Sequence, residues 1–237
     1  MATIIPAILP TSRLDLDEKL ARLVGIASEV QIDIVDGTFA SPASWPYSQG
    51  GGEFAASGAT LSFLEQFHIE MDLMVENPEE VTGSWIAAGA NRILAHVEST
   101  TYLPQLITDL RVKYGHEKGF ASGLLSFGLA LNVDTDIVTL EPYLGDVDYV
   151  QFMGIASIGK QAQPFDARVL EKIRAFRKIH PDTPIQVDGG VNLESAPLLL
   201  AAGVSRLIVG SALWKSTDIK DTYHRLCALT EEHGLYE

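Results

Sequence analysis

Three short segments of this chain each set an aspartate inside an alternating apolar run: Gln31-Ile32-Asp33-Ile34-Val35, Glu70-Met71-Asp72-Leu73-Met74 and Ile185-Gln186-Val187-Asp188. In an extended strand successive side chains point to opposite faces. Ile32 and Ile34 therefore share one face and leave Gln31, Asp33 and Val35 on the other. Met71 and Leu73 oppose Glu70, Asp72 and Met74, and Ile185 and Val187 oppose Gln186 and Asp188. If helices cover the apolar face, the polar face must point inward. Inward carboxylates are costly unless they hold a cation, pair with another group or move protons. Asp33, Asp72 and Asp188 are thus candidates for general acid–base work and for holding a divalent ion. Asp36-Gly37 and Asp188-Gly189 can also be read as plain Asp-Gly turns. That reading is preferred for Asp36, but turn chemistry does not require the inward parity of Asp33 and Asp188.

Two glycine turns point to a second kind of chemistry. Gly189-Gly190 follows one candidate strand and Gly210-Ser211 follows the next. Glycine lets backbone N–H groups approach an anion with no Cβ in the way. In α/β barrels the loops after the seventh and eighth strands often hold phosphate. Gly189, Gly190, Gly210 and Ser211 are therefore the candidate phosphate site. Other residues carry open readings. His96 has inward parity and is read as a hydrogen-bonded barrel histidine rather than a ligand. Lys160 is read as a phosphate contact or a solvated loop lysine, and Trp45 and Tyr47 as a cover over the mouth or a subunit contact.

The elements that must position these groups alternate from end to end. Candidate strands are 4–9, 30–35, 69–74, 92–97, 128–131, 149–153, 185–187 and 206–209, and amphipathic helical patterns cover 14–26, 78–88, 103–114, 167–179, 193–202 and 219–232. Gly89 and Gly203 stand where left-handed helix caps are expected. Ala87-Ala88-Gly89-Ala90-Asn91-Arg92-Ile93-Leu94 resembles Ala201-Ala202-Gly203-Val204-Ser205-Arg206-Leu207-Ile208, at a spacing of 114 residues from Ala87 to Ala201. This repeat fits equivalent junctions half a barrel apart, although any helix-to-strand junction looks similar. Segment 37–58, with Trp45-Pro46-Tyr47 and Gly50-Gly51-Gly52, follows a strand and belongs to the active-site face. Segment 115–123 follows a helix and belongs to the opposite face. The pattern predicts one α/β domain over 1–237, a (β/α)₈ TIM barrel with a parallel eight-stranded barrel.

Composition narrows the partners. A net charge of −14 argues against nucleic acid or an anionic membrane surface. It does not exclude a phosphorylated ligand, because backbone N–H groups bind phosphate without formal charge. No run approaches the roughly 20 apolar residues of a membrane span. The first residues show no signal peptide, and Cys227 is the only cysteine. A cytoplasmic protein is expected.

These residues resemble the ribulose-phosphate 3-epimerase family over nearly the whole chain. The likeness runs through Ile5-Pro6-Ala7-Ile8-Leu9, Ile32-Asp33-Ile34-Val35-Asp36-Gly37-Thr38-Phe39 and Asp72-Leu73-Met74-Val75-Glu76-Asn77-Pro78. It continues through His96-Val97-Glu98, Leu170-Glu171-Lys172-Ile173, Val187-Asp188-Gly189-Gly190-Val191-Asn192 and Val209-Gly210-Ser211-Ala212. The resemblance implies a two-base epimerisation at C3 of a ketopentose 5-phosphate, with Asp33 and Asp188 as acid and base and a divalent metal. It also implies a pocket lined by Met74 and Met153. Ala7 stands where the family has Ser, Gln31 and Asp72 stand where it has metal-binding His, and segment 154–161 replaces an Asn-Pro-Gly-rich loop.

The expected metal shell is Gln31, Asp33, Asp72 and Asp188. Its oxygen donors favour Mg²⁺ or Mn²⁺ over Zn²⁺. The rival is a metal-free site in which Asp72 is protonated or hydrogen-bonds Gln31. A small phosphorylated sugar as partner and a homo-oligomer are expected. The competing functions are a non-catalytic phosphosugar-binding barrel and another lyase or isomerase of the same barrel group. Decarboxylases of that group place Lys where this chain has Val35, and a Schiff-base aldolase needs an inward Lys that is not found.

Overall fold

The computed structural model describes residues 2–49, 60–120 and 123–234. Eight strands, β1 (Thr3–Ile8), β2 (Glu29–Val35), β3 (His68–Met74), β4 (Arg92–His96), β5 (Ser126–Leu131), β6 (Tyr149–Met153), β7 (Ile185–Asp188) and β8 (Arg206–Val209), close in sequence order into a barrel. Every pairing, including β1 with β8, is parallel. The helices among the described residues are α1 (Arg13–Leu23), α2 (Thr82–Ala87), α3 (Leu103–Tyr114), α4 (Arg168–Ile179), α5 (Ala196–Ala201), α6 (Ser211–Trp214) and α7 (Ile219–Gly234). None is long and apolar enough to cross a membrane.

The pattern expected for 78–88 breaks in two. Pro78–Glu80 forms a 3₁₀ turn and α2 starts only at Thr82. Ile137–Tyr143, in a connection for which the sequence predicts no helix, is a 3₁₀ helix that Asp136 caps by accepting from Val138 N. Part of segment 37–58 and part of 115–123 lie outside the described residues. The described part of 115–123 is clamped at the base of the barrel by Asp148. That carboxylate accepts from His116 Nε2 at 2.8 Å, Gly119 N at 2.7 Å and Phe127 N at 2.9 Å.

The main core lies between barrel and helices. Ile32, Ile34, Met71 and Leu73 are buried there with Leu16, Leu20, Leu106 and Leu110, as the alternation predicts. The barrel interior is a different environment, in which Gln31, Asp33, Glu70, Asp72, His96, Gln151 and Gln186 are all buried.

The internal repeat explains the lowest polar layer. Gly89 and Gly203 both cap helices with positive φ, 108° and 89°, and three residues later Arg92 and Arg206 open β4 and β8. Both guanidiniums reach Glu70: Arg92 Nε lies 2.9 Å and Arg206 NH2 3.7 Å from its Oε2. Burial pushes the Glu70 pKa upward, but the two arginines hold it below the ordinary value. Tyr149 donates to the same carboxylate at 2.8 Å, and its ring occupies the space a Cβ on Gly128 would fill.

Candidate active site

Asp33, Asp72 and Asp188 sit at the C-terminal ends of β2, β3 and β7. Asp33 and Asp72 are register partners, and Asp188 pairs with Met153. One carboxylate oxygen from each lies within 4.8 Å of the others. Three like charges this close in a low-dielectric site cannot all ionise cheaply. Asp33 is accordingly pushed well above the usual range by burial, then by Asp188 and Asp72, against a hydrogen bond from Gln31. Asp188 is pushed up to about 7 by burial, then by Asp72, with the Gly189 N–H opposing. Asp188, which gains and loses a proton near neutrality, and Asp33, raised beside it, are suited to general acid–base exchange.

Amides hold this cluster from below. Gln31 Nε2 donates to Asp33 Oδ1 at 2.9 Å, and Gln151 Nε2 donates to Asp72 Oδ2 at 2.9 Å. Gln31, expected to offer oxygen to a metal, turns its amide nitrogen toward the cluster in this structure. Its oxygen points away from the cluster and accepts from Gln186 at 3.1 Å. The residues placed to hold a cation are the three aspartates. Asp72 Oδ1 is buried with no hydrogen-bond donor aligned on it, and its nearest cationic neighbour is His96 Nε2 at 3.2 Å.

His96 lies nearer the chemistry than its sequence reading suggested. Its Nε2 is 3.2 Å from Asp72 Oδ1, and its Nδ1 is 3.8 Å from Glu98 Oε2. Burial disfavours its charge, but Asp72 and Glu98 together raise it to about 9. Inward parity had identified the histidine. Of its carboxylate partners, Glu98 follows it by two residues, whereas Asp72 comes from β3 and could not be read locally. Gln151 was missed outright, although its parity with Met153 on β6 was available.

The cleft above the cluster is lined by Ala7, Met74 and Met153, and by Gly189, Gly190, Gly210 and Ser211. Gly189 and Gly190 have φ of 100° and 69°. A Cβ on Gly190 would lie 2.6 Å from the Phe165 Cα, so backbone conformation and packing already require glycine there. Gly210 has no such backbone need (φ −95°). Gln161 Nε2 lies 3.1 Å from where its Cβ would be, so this amide reaches over the eighth-strand turn. Lys160 lines the same cleft. Asp36 serves its turn, accepting from Thr38 N at 2.8 Å, Phe39 N at 2.9 Å and Glu76 N at 2.8 Å. Trp45 does not cover the mouth. It is buried edge-on to Trp85 with ring centroids 6.1 Å apart, and Tyr47 packs against the same core.

Comparison with known proteins agrees with this geometry. The model of the ribulose-phosphate 3 epimerase family matches residues 3–214. A ribulose-phosphate 3-epimerase of Bacillus subtilis (strain 168) is 28% identical, with 93% of this chain and 95% of that protein covered. One from Aquifex aeolicus (strain VF5) is 27% identical, with 97% of each covered. Among solved structures, 3-hexulose-6-phosphate synthase from Salmonella typhimurium superposes with a TM-score of 0.70 at 12% identity, covering 98% of this chain and 100% of that one. KGPDC from Streptococcus mutans superposes at 0.68 and 10% identity, with 98% of each chain covered. Those two likenesses establish the fold alone.

Proposed function

The chain belongs to the ribulose-phosphate 3-epimerase family, and from that premise we propose that it inverts C3 of a ketopentose 5-phosphate by proton transfer between Asp33 and Asp188. The observation that carries this reading is the pair itself. Two carboxylates with raised pKa values face one cleft from β2 and β7, which lie on either side of the β1–β8 pair. Inversion needs one group to take the C3 proton and another to return a proton to the opposite face of the carbon. Asp33, held by Gln31, and Asp188, held by the Gly189 N–H, fill the two roles, each acting as acid in one direction and base in the other.

Asp33, Asp72 and Asp188 are the residues that would hold a divalent ion, and their all-oxygen chemistry favours Mg²⁺ or Mn²⁺ over Zn²⁺. When bound, such an ion supplies positive charge where oxyanion charge develops on the substrate. Gly189, Gly190, Gly210 and Ser211 line the cleft with Gln161 and Lys160, and in this reading their backbone N–H groups hold the phosphate. Met74, Met153 and Ala7 give the pocket its apolar wall. The homo-oligomer and the cytoplasmic setting expected from sequence belong to this reading as well.

One observation favours a second reading, a phosphosugar-binding barrel that works without a metal. His96 places an imidazole beside Asp72 and can serve as a resident cation. Decarboxylase chemistry of the related barrels is not favoured, because Val35 stands at the position of their lysine. The deciding experiment incubates the protein with D-ribulose 5-phosphate, with and without Mn²⁺, and follows formation of the C3 epimer. Turnover dependent on Mn²⁺ supports the metal-assisted epimerase. Tight binding of the sugar phosphate with no epimer under either condition supports the second reading.

A further inference from the structure

Below the aspartates lies a layer of three buried glutamines, Gln31, Gln151 and Gln186, from β2, β6 and β7. A carboxamide can face either way around, so its orientation must be fixed by a neighbour that cannot change roles. Arg206 is that neighbour, because a guanidinium only donates. It is tethered by Glu29, whose Oε2 is 2.9 Å from NH1, and its Nε donates to Gln186 Oε1 at 2.7 Å.

With its oxygen committed to Arg206, Gln186 must turn its nitrogen inward. That nitrogen faces Glu70 Oε1 at 2.5 Å, Gln151 Oε1 at 2.7 Å and Gln31 Oε1 at 3.1 Å, with two hydrogens to share among them. The oxygens of Gln31 and Gln151 therefore point down, and their nitrogens point up. Each nitrogen meets a carboxylate at 2.9 Å: Gln31 meets Asp33 and Gln151 meets Asp72. Donation runs in one direction, from the arginine at the base to the carboxylates at the mouth.

We propose that Gln186 is a positioning residue: through Gln31 and Gln151 it presents N–H donors to Asp33 and Asp72, so that the shell offered to a divalent ion consists of carboxylate oxygens alone. This rests on the reading of Asp33, Asp72 and Asp188 as the metal-holding set. It explains how a glutamine on the inward face of β2 serves the site without ligating. The amide oxygen of Gln31 cannot reach the cluster without breaking its contact to Gln186 and turning an oxygen lone pair on Asp33.

The test pairs a structural readout with a binding readout in the intact protein. Gln186→Met keeps the length and removes all hydrogen bonding. Gln186→Glu keeps the shape and the Arg206 contact. NMR reports solvent exchange of the side-chain amide protons of Gln31 and Gln151, and Mn²⁺ affinity is measured alone, without substrate. The expectation is slow amide exchange in the wild type and fast exchange in both variants. Loss of a hydrogen bond to a charged group should weaken Mn²⁺ roughly 10- to 100-fold. Adding Gln31→Met and Gln151→Met to Gln186→Met should cost little more, since all three act through one chain of contacts. Wild-type Mn²⁺ affinity in both Gln186 variants overturns the proposal. So does a full loss in Gln31→Met that adds independently to that of Gln186→Met, which would mark Gln31 as a direct ligand. If the wild type binds no Mn²⁺, the metal reading above fails. The positioning claim is then decided by the amide protons: protection lost in the Gln186 variants upholds it, and unchanged exchange refutes it.

Discussion

Acidification should strip divalent ions from the aspartate cluster well before the barrel unfolds. A carboxylate must lose its proton to ligate, so metal affinity follows the titration of the ligands. Asp188 titrates at about 7, against an ordinary value of 3.8, because it is buried beside Asp72. At pH 5.5 about 97% of such a group is protonated, which alone weakens binding roughly 30-fold relative to the ionised site. Asp33 is raised for the same reasons, with Asp188 as an added cause, so the observed slope should exceed tenfold per pH unit where both must deprotonate. The stability of the metal-free chain moves the other way. Asp188 holds its proton more tightly folded than unfolded, so its contribution is full below 3.8 and is lost as pH rises through about 7. Mn²⁺ should therefore raise Tm little at pH 5.5 and progressively more toward pH 8. Calorimetric Mn²⁺ titrations at pH 5.5, 6.5 and 7.5, in buffers of different ionisation enthalpy, give both affinity and protons released. Equal affinity at all three values, with no proton release, would refute the reasoning.

Three further outcomes are expected. Glu70→Leu leaves Arg92 without its buried carboxylate and Arg206 with Glu29 alone, and should cost roughly 3–5 kcal/mol in urea unfolding. Because arginine holds the Glu70 pKa below its ordinary value despite burial, the wild type should lose this contribution as pH falls through the folded value, and Glu70→Leu should not. Gly190→Ala forces a side chain onto φ 69° and against the Phe165 backbone. It should cost at least about 1–2 kcal/mol, visible as a drop of several degrees in Tm, and an unchanged Tm would contradict the packing argument. Crystals soaked in phosphate should show the anion at Gly189, Gly190, Gly210 and Ser211, and an anion bound elsewhere with this site empty would remove it from the account.

The barrel was legible because its two periodicities are strong. Alternation at Ile32, Ile34, Met71 and Leu73 marks the helix-facing side, and what remains must point inward. The same parity found Asp33, Asp72 and Asp188, and the structure brings them together. Parity gives the face of a strand but not which atom of a side chain faces which neighbour. The inward face of Gln31 was therefore legible, but the direction of its amide was not, because its oxygen accepts from Gln186, which in turn accepts from Arg206, both far along the chain. The repeat around Gly89 and Gly203 pointed to equivalent junctions, but its consequence, two arginines meeting on one glutamate, depends on barrel closure. The place of Trp45 stayed open for a similar reason: its partner Trp85 lies far along the sequence.

The central claim is that Asp33 and Asp188 exchange a proton at C3, and deuterium uptake reads it directly. D-ribulose 5-phosphate is incubated in D₂O with Mn²⁺ and the wild type, Asp33→Asn or Asp188→Asn, and the C3 proton is followed by NMR. The wild type should incorporate deuterium at C3 in both epimers, while each variant should lose turnover by ~10²–10⁴-fold with its fold retained. No C3 exchange in the wild type, or near-wild-type epimerisation by Asp188→Asn, would contradict the account.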